Sequence, residues 1–267
     1  MSPTTPFRHS AAQTTRTLLS LRESILDGSL AAGTRLSELS VVQRLGVSRT
    51  PVRAALQRLC DEGLVSALPG GGYAVQAFSD RDVHDAIELR GTLEGLAARM
   101  AAERGIGAAE LAQAQRLLAQ LDRIVGPSPD AIDLAAYVQI NAQFHALLLA
   151  MADSDVLDRA VNRSVQLPFA SPSGLVMAQT SDADARLLLT LAQDQHREVI
   201  AAIQQRQGGR AEALMREHAR LAHRNLRHVL HTPAAIGQLR GGALIGPAPI
   251  PDVGSARHAL PPGAHHA

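Results

Sequence analysis

Two sets of residues have types and spacings suited to chemistry. Arg49, Arg53 and Gln57 recur four apart in VSRTPVRAALQRL. On a helix they form one outward stripe, on the face away from Val52, Leu56 and Leu59. An arginine fork can bridge guanine O6 and N7, and the hydroxyls of Ser48 and Thr50 can hydrogen-bond phosphate. The stripe therefore suits DNA, and the alternative is the solvated face of an ordinary amphipathic helix.

The second set is made of imidazoles. Asn141 and His145 lie four apart in NAQFHALLLAM, His196 lies in DQHREVIAAI, and His218 in RAEALMREHARLA. Gly208-Gly209 punctuates the chain between the last two histidines. An antiparallel helix pair would bring them to the same height, so three imidazoles and an amide oxygen could converge. Neutral imidazole is the commonest ligand for ions such as Zn or Ni, and three of them leave positions open for a further ligand. Taken singly, each of the 11 histidines is more simply a core or surface residue.

The elements that must position these residues are mostly helices. Leu18, Leu21, Ile25 and Leu26 have helical spacing before Asp27-Gly28. A second short helix follows Ser37, with Leu39, Val42 and Leu45 inward and Gly46 closing it. Ser48 is placed to cap a third helix, Pro51 falls in its first turn where the missing N–H costs little, and the helix ends near Gly63. LVSAL and YAVQAF read as strands joined by a PGGG turn. From Ser79, an N-cap followed by Asp80 and Asp82, the pattern is helical to about Leu230. Breaks at Gly105 to Gly107, at 126–129, at Asp153 to Asp155, across 167–174 and at Gly208-Gly209 separate roughly six helices.

Composition agrees. Hydrophobic residues make up 46% of the 267, with no Trp, two Tyr and four Phe, which fills helices rather than strands. The net charge of +1 hides an asymmetry: residues 1–78 hold eight Arg against five acids, whereas 79–231 hold sixteen against nineteen. The single Cys60 excludes an internal disulfide framework. No run of eighteen apolar residues exists and MSPTTPFRHSAAQ lacks the core of a signal peptide, so the expectation is a cytoplasmic protein that does not engage a membrane. Residues 1–13 are expected to be flexible. Residues 232–267, with 12 Gly or Pro in 36 positions, are expected to be a disordered tail.

The segment LSELSVVQRLGVSRTPVRAALQRLCDEGLVSALPGGGYAV resembles the N-terminal domain of the GntR family of bacterial transcription regulators. That resemblance implies a winged helix-turn-helix over 14–78, three helices plus a hairpin wing. It implies that Arg49 and Arg53 contact the operator, that Ser48 and Thr50 meet phosphates, and that the wing tip enters the minor groove. Two departures stand out. Leu39 occupies the place of a further base-contacting Arg of some members, and the wing has Gly70, Gly71 and Gly72 without a basic side chain, which leaves readout to backbone. Residues 79–231 resemble the FCD-type effector domain of the FadR-like subfamily through ELRGTLEGLAARMAA, N-x-x-F-H, H-x-x-V-I-x-A-I and M-R-x-H. This implies a metal held by Asn141, His145, His196 and His218, with Asn where many members have Asp. It also implies that Arg90, in R-x-x-x-E, holds an effector carboxylate. The alternative for Arg90 is a surface pair with Glu94, four residues on.

The expected protein is thus mainly all-α, a DNA-binding head followed by an all-α helical bundle. It would be a homodimer on a pseudo-palindromic double-stranded operator, controlled by a small carboxylate at a Zn or Ni site. A metal-dependent enzyme is a rival reading, but no recognised catalytic motif places a carboxylate near the histidines. A sensor of the metal itself is another.

Overall fold

The computed structural model describes residues 6–126, 132–165, 167–172, 183–230, 236–237 and 239–246. Helix α1 (Pro6–Leu26) turns Leu18, Leu21, Ile25 and Leu26 inward, the stripe read from the sequence. It begins at Pro6, so the expected flexible segment is already helical over 6–13. A proline at the start of a helix costs little, because its missing N–H would have had no partner there. Residues 1–5 lie outside the described residues.

Helix α2 (Glu38–Leu45) starts at a capping box, in which Ser37 and Ser40 exchange side-chain and backbone hydrogen bonds, and stops at Gly46 in the left-handed conformation. Its apolar side runs through Val41, Val42 and Leu45. Leu39 falls opposite and is 53% exposed, which corrects its expected inward position. Helix α3 (Arg49–Asp61) buries Pro51, Val52, Ala55, Leu56 and Leu59.

The wing is a three-stranded antiparallel sheet in the order β1 (Arg35–Leu36), β3 (Tyr73–Val75), β2 (Val65–Ala67). Ala74 lies opposite Ser66 on one side and Arg35 on the other. Gly71 and Gly72, at φ +88 and +81, make the tip, a conformation that side chains with a Cβ rarely adopt.

Six helices follow: α4 (Asp80–Arg104), α5 (Ala108–Val125), α6 (Leu134–Met151), α7 (Asp155–Ser164), α8 (Ala183–Gln204) and α9 (Gly208–Leu230). Ser79 caps α4 through a box with Asp82, as its sequence implies. The turn between α8 and α9 precedes the glycines, with Arg206 left-handed at φ 61 and Gly208 opening α9. Gly91 and Gly95 let α4 and α9 approach closely: a Cβ built on Gly91 would lie 2.5 Å from that of Ala219. Helix α6 is long and apolar enough by composition to cross a membrane, but its polar Asn141 and His145 are buried in the bundle, where Phe144 and Leu148 join the core.

Among the described residues the head has one hydrophobic core, and the bundle has a main core and a smaller cluster of Ala97, Ala152, Leu157 and Val161. The head core takes in Val83 and Ile87 of α4, Phe169 in a short 3-10 turn (Pro168–Ala170), and Leu226 of α9. It also takes in Leu239 and Leu244, so the expected disordered tail is ordered over the described residues 236–237 and 239–246. The high Gly and Pro content concealed two leucines that find a core, and the rest of the tail lies outside the described residues.

Candidate DNA interface and metal centre

Helix α3 holds Val52, Ala55, Leu56 and Leu59 inward, and this forces Arg49, Arg53 and Gln57 outward; all three are exposed. Ser48 occupies the N-cap position with extended backbone, yet its side chain makes no cap hydrogen bond. Ser48 and Thr50 are exposed beside the first turn of the helix, where free N–H groups and the helix dipole favour phosphate. Gly71 is exposed at the wing tip.

Two stripe residues are engaged within the chain. Arg53 donates from Nε and Nη2 to Glu38 at 2.6 and 3.0 Å, and Gln57 Nε2 donates to Asp61 at 3.0 Å. The hydrogen bond and charge of Arg53 lower the Glu38 pKa, and Arg49 adds to the effect from nearby. Sequence spacing gave no hint of Glu38, which sits fifteen positions earlier on another helix.

In the bundle, α6 contributes Asn141 and His145, α8 contributes His196, and α9 contributes His218. All four are buried, and the ligand-capable nitrogens of the three histidines lie within 4.8 Å of one another. The expected convergence of the imidazoles is therefore present.

Their hydrogen bonds fix two tautomers. Gln193 Nε2 donates to Leu118 O and Asp122 Oδ1, which turns its Oε1 toward His196 Nδ1, 3.1 Å away. An acceptor there requires a proton on Nδ1 and leaves the His196 Nε2 lone pair facing inward. Likewise Glu94 Oε1 lies 3.0 Å from His145 Nδ1, so His145 Nε2 carries a lone pair, buried and without a hydrogen-bond partner. His196 Nε2 and His218 Nε2 are 3.2 Å apart. That contact is satisfied by a proton on His218 Nε2, or by a cation that both lone pairs meet. A carboxylate or amide oxygen behind an imidazole is the usual arrangement at metal-bound histidine, so these residues fit a divalent ion.

Glu94 and Gln193 were not anticipated as the groups that orient the histidines. Glu94 was expected only as a surface partner of Arg90. The pair exists, with Arg90 Nη1 3.3 Å from Glu94 Oε2, but both side chains are buried at the bundle centre. Burial raises the Glu94 carboxyl, while the neighbouring His145 and Arg90 outweigh it and bring its pKa to about 2. Burial, then His145 and Arg90, lowers His218 to about 3. Burial followed by the neighbouring His218 and His145 depresses His196 well below the ordinary imidazole range. A cavity of about 40 Å³ adjoins the cluster, lined among others by Arg90, Tyr137, Asn141, Ser171, His218 and Asn225.

Known proteins share both halves. Residues 13–75 match the family described as bacterial regulatory proteins, gntR family, and residues 85–221 match the FCD domain. The chain belongs to the GntR family, in its FCD branch. The HTH-type transcriptional repressor RspR of Escherichia coli (strain K12) is 28% identical over 218 residues, 78% of this chain and 86% of that protein. An HTH-type transcriptional regulator from the TAR-I ttuE-ttuC' intergenic region of Agrobacterium vitis is 31% identical over 143 residues, 54% of this chain and 82% of its own. The solved structure of E. coli McbR/YncC superposes with a TM-score of 0.56 at 20% identity, covering 81% of this chain and 97% of that one, which supports the fold. This GntR-family chain is a DNA-binding transcription regulator and not an enzyme. The Glu94 carboxylate beside the histidines is thus an orienting group, engaged with Arg90 and His145.

Proposed function

We propose that this regulator is a homodimeric repressor whose hold on a pseudo-palindromic operator is relaxed by a small organic acid bound beside a divalent metal, Zn or Ni, in the FCD domain. The observation that carries the proposal is the buried convergence of His145, His196 and His218 next to a cavity lined by Arg90. The three histidines would hold the ion, with Asn141 as a further oxygen donor. A bound ion of this kind supplies Lewis acidity toward a carboxylate oxygen. Arg90 Nε is buried without an acceptor, so it offers an N–H to the same carboxylate. The cavity's small volume fits a small acid.

In the head, Arg49, Arg53 and Gln57 read base edges, Ser48 and Thr50 hold phosphates, and the backbone at Gly71 enters the minor groove. A two-fold axis relates two such heads on the two half-sites. Acid binding shifts the population toward a head spacing that fits the operator less well.

A thermal-shift screen of small carboxylates, run on metal-loaded and on chelator-treated protein, tests this reading, because a ligand of the folded state raises its apparent stability. The expected result is an acid that raises the melting temperature only with metal present, together with operator affinity that metal alone leaves unchanged. A change in operator affinity on adding metal alone would make the protein a metal sensor instead.

A further inference from the structure

Residues 236–246 lie beyond both family matches, which end at 75 and 221. They nonetheless make specific contacts with the joint between head and bundle. The last head strand ends at Val75 and α4 begins at Asp80, so residues 76–79 are the covalent link. Gln76 still donates to Leu64 O within the head. Phe78 instead has both of its backbone polar groups taken by the C-terminal segment: its N–H donates to Leu244 O at 2.8 Å, and its carbonyl accepts from Gly246 N–H at 3.0 Å.

The same segment grips the head elsewhere. Gly241 N–H donates to Leu26 O at 3.1 Å, and Arg240 pairs with Glu23, both at the end of α1. A Cβ on Gly28 would come within 3.1 Å of Ala243 Cβ, so the two segments run in close contact. Leu239 and Leu244 are buried in the head core. At the same joint, the Phe78 ring packs edge-on against Phe169, with ring centroids 5.1 Å apart. Phe169 is two residues before Ser171, which lines the cavity beside the histidines.

We propose that the described residues 236–237 and 239–246 belong to a strap that locks the DNA-binding head in one orientation on the bundle, by occupying both backbone polar groups of the linker residue Phe78. With the strap in place, the head cannot turn about 76–79 without breaking these hydrogen bonds and exposing Leu239 and Leu244. Because Phe169 meets the same joint, movement of the cavity wall at 171–172 reaches the strap through Phe169 and Phe78. The strap is thus the element whose release would convert a change at the cavity into freedom of the head.

Two variants test the strap. One ends the chain after His231. The other is Gly242→Ala, where the new Cβ would sit 2.2 Å from Ile236 O, so the strap's own turn is refused while its leucines remain. Gly237→Ala, which has nothing within 4 Å of its Cβ, is the control. Hydrogen exchange reads the Phe78 amide. Spin labels at Leu19→Cys and Arg116→Cys in a Cys60→Ser background read the head-to-bundle distance. The expected result is Phe78 exchange at least tenfold faster in both variants and a broadened distance distribution, with α3 and α8 amides still protected and the control unchanged. Unchanged Phe78 exchange with an equally narrow distribution overturns the proposal. Loss of protection throughout α3 also overturns it, because the segment would then be part of the head's fold and not a strap. Neither readout depends on DNA, metal or acid.

Discussion

Arg53 holds Glu38 by two donors, Nε and Nη2, at 2.6 and 3.0 Å, while 70% of its side chain remains exposed. The carboxylate takes the side edge of the guanidinium and leaves the Nη1 end, with one Nη2 hydrogen, facing outward. Two parallel donors at that end are what guanine O6 and N7 accept. On the proposed reading, the ion pair would aim the arginine rather than withdraw it from DNA. Glu38→Ala is expected to weaken operator binding by roughly tenfold and to leave binding to a scrambled duplex unchanged or tighter, since a negative charge near phosphates is gone. Arg53→Ala and Arg49→Ala are expected to cost roughly 10- to 100-fold on the operator with the fold intact. Fluorescence anisotropy on both duplexes at two salt concentrations checks this. Equal losses on the two duplexes after Glu38→Ala would remove its role in aiming Arg53.

Glu94 and Gln193 make the histidine cluster more than a coincidence of buried rings, because each fixes a proton on Nδ1 and so frees an Nε2 lone pair. His196→Ala should sharply reduce bound metal measured by elemental analysis. Glu94→Gln keeps the shape but loses the carboxylate, and a loss of roughly 10- to 100-fold in metal affinity is expected, as at other metal-bound histidines whose outer partner is changed. Full metal occupancy in His196→Ala would take that residue out of the site.

The pKa shifts give a pH dependence with a definite sign. His218 titrates at about 3 when folded and near the ordinary imidazole value of 6.5 when unfolded, and His196 shifts in the same direction. Between those values the unfolded chain binds more protons, so metal-free protein should be fully stable above pH 6.5 and lose stability steadily as pH falls toward 3. Glu94, lowered to about 2 from 4.5, adds a second loss below pH 4.5. Melting temperatures of chelator-treated protein from pH 7.5 down to 4 check the slope, and His218→Gln should flatten its upper part. A melting temperature that stays level from pH 7 to 5 would contradict the buried neutral imidazoles.

Much of this was legible in the sequence where one helix face decides the matter. The α1 stripe, the α3 stripe, the Ser79 cap and the four-residue step from Asn141 to His145 depend only on local periodicity, and all are found as read. What was not legible depends on partners distant in the chain. Strand β1 has two residues and exists only because β3 pairs with it. Leu39 looked inward because it is apolar, but an eight-residue helix buries one side, and Val41 took it. Glu38 behind Arg53, Gln193 behind His196 and the burial of Leu239 and Leu244 are all consequences of packing between elements that no spacing rule connects.

The last prediction concerns the glycines of ELRGTLEGLAARM. Arg90 and Glu94 reach the histidines only because α4 lies tight against α9, and the contact is made where Gly91 meets Ala219 and Gly95 meets Arg216. A methyl group on Gly91 would sit 2.5 Å from Ala219 Cβ, on a rigid neighbour with no side chain to swing aside. Gly91→Ala should therefore force the two helices apart and cost about 1–3 kcal/mol of stability, outweighing the gain of up to about 1 kcal/mol that alanine brings to a helix interior. Because His218 rides on α9, the same change should weaken metal binding. Gly209→Ala, with nothing within 4 Å, is the matched control and should be neutral or slightly stabilising. Denaturant unfolding and metal titration of the two variants side by side measure both effects. A Gly91→Ala protein with unaltered stability and metal affinity would mean that α4 and α9 do not need their close approach to build the site.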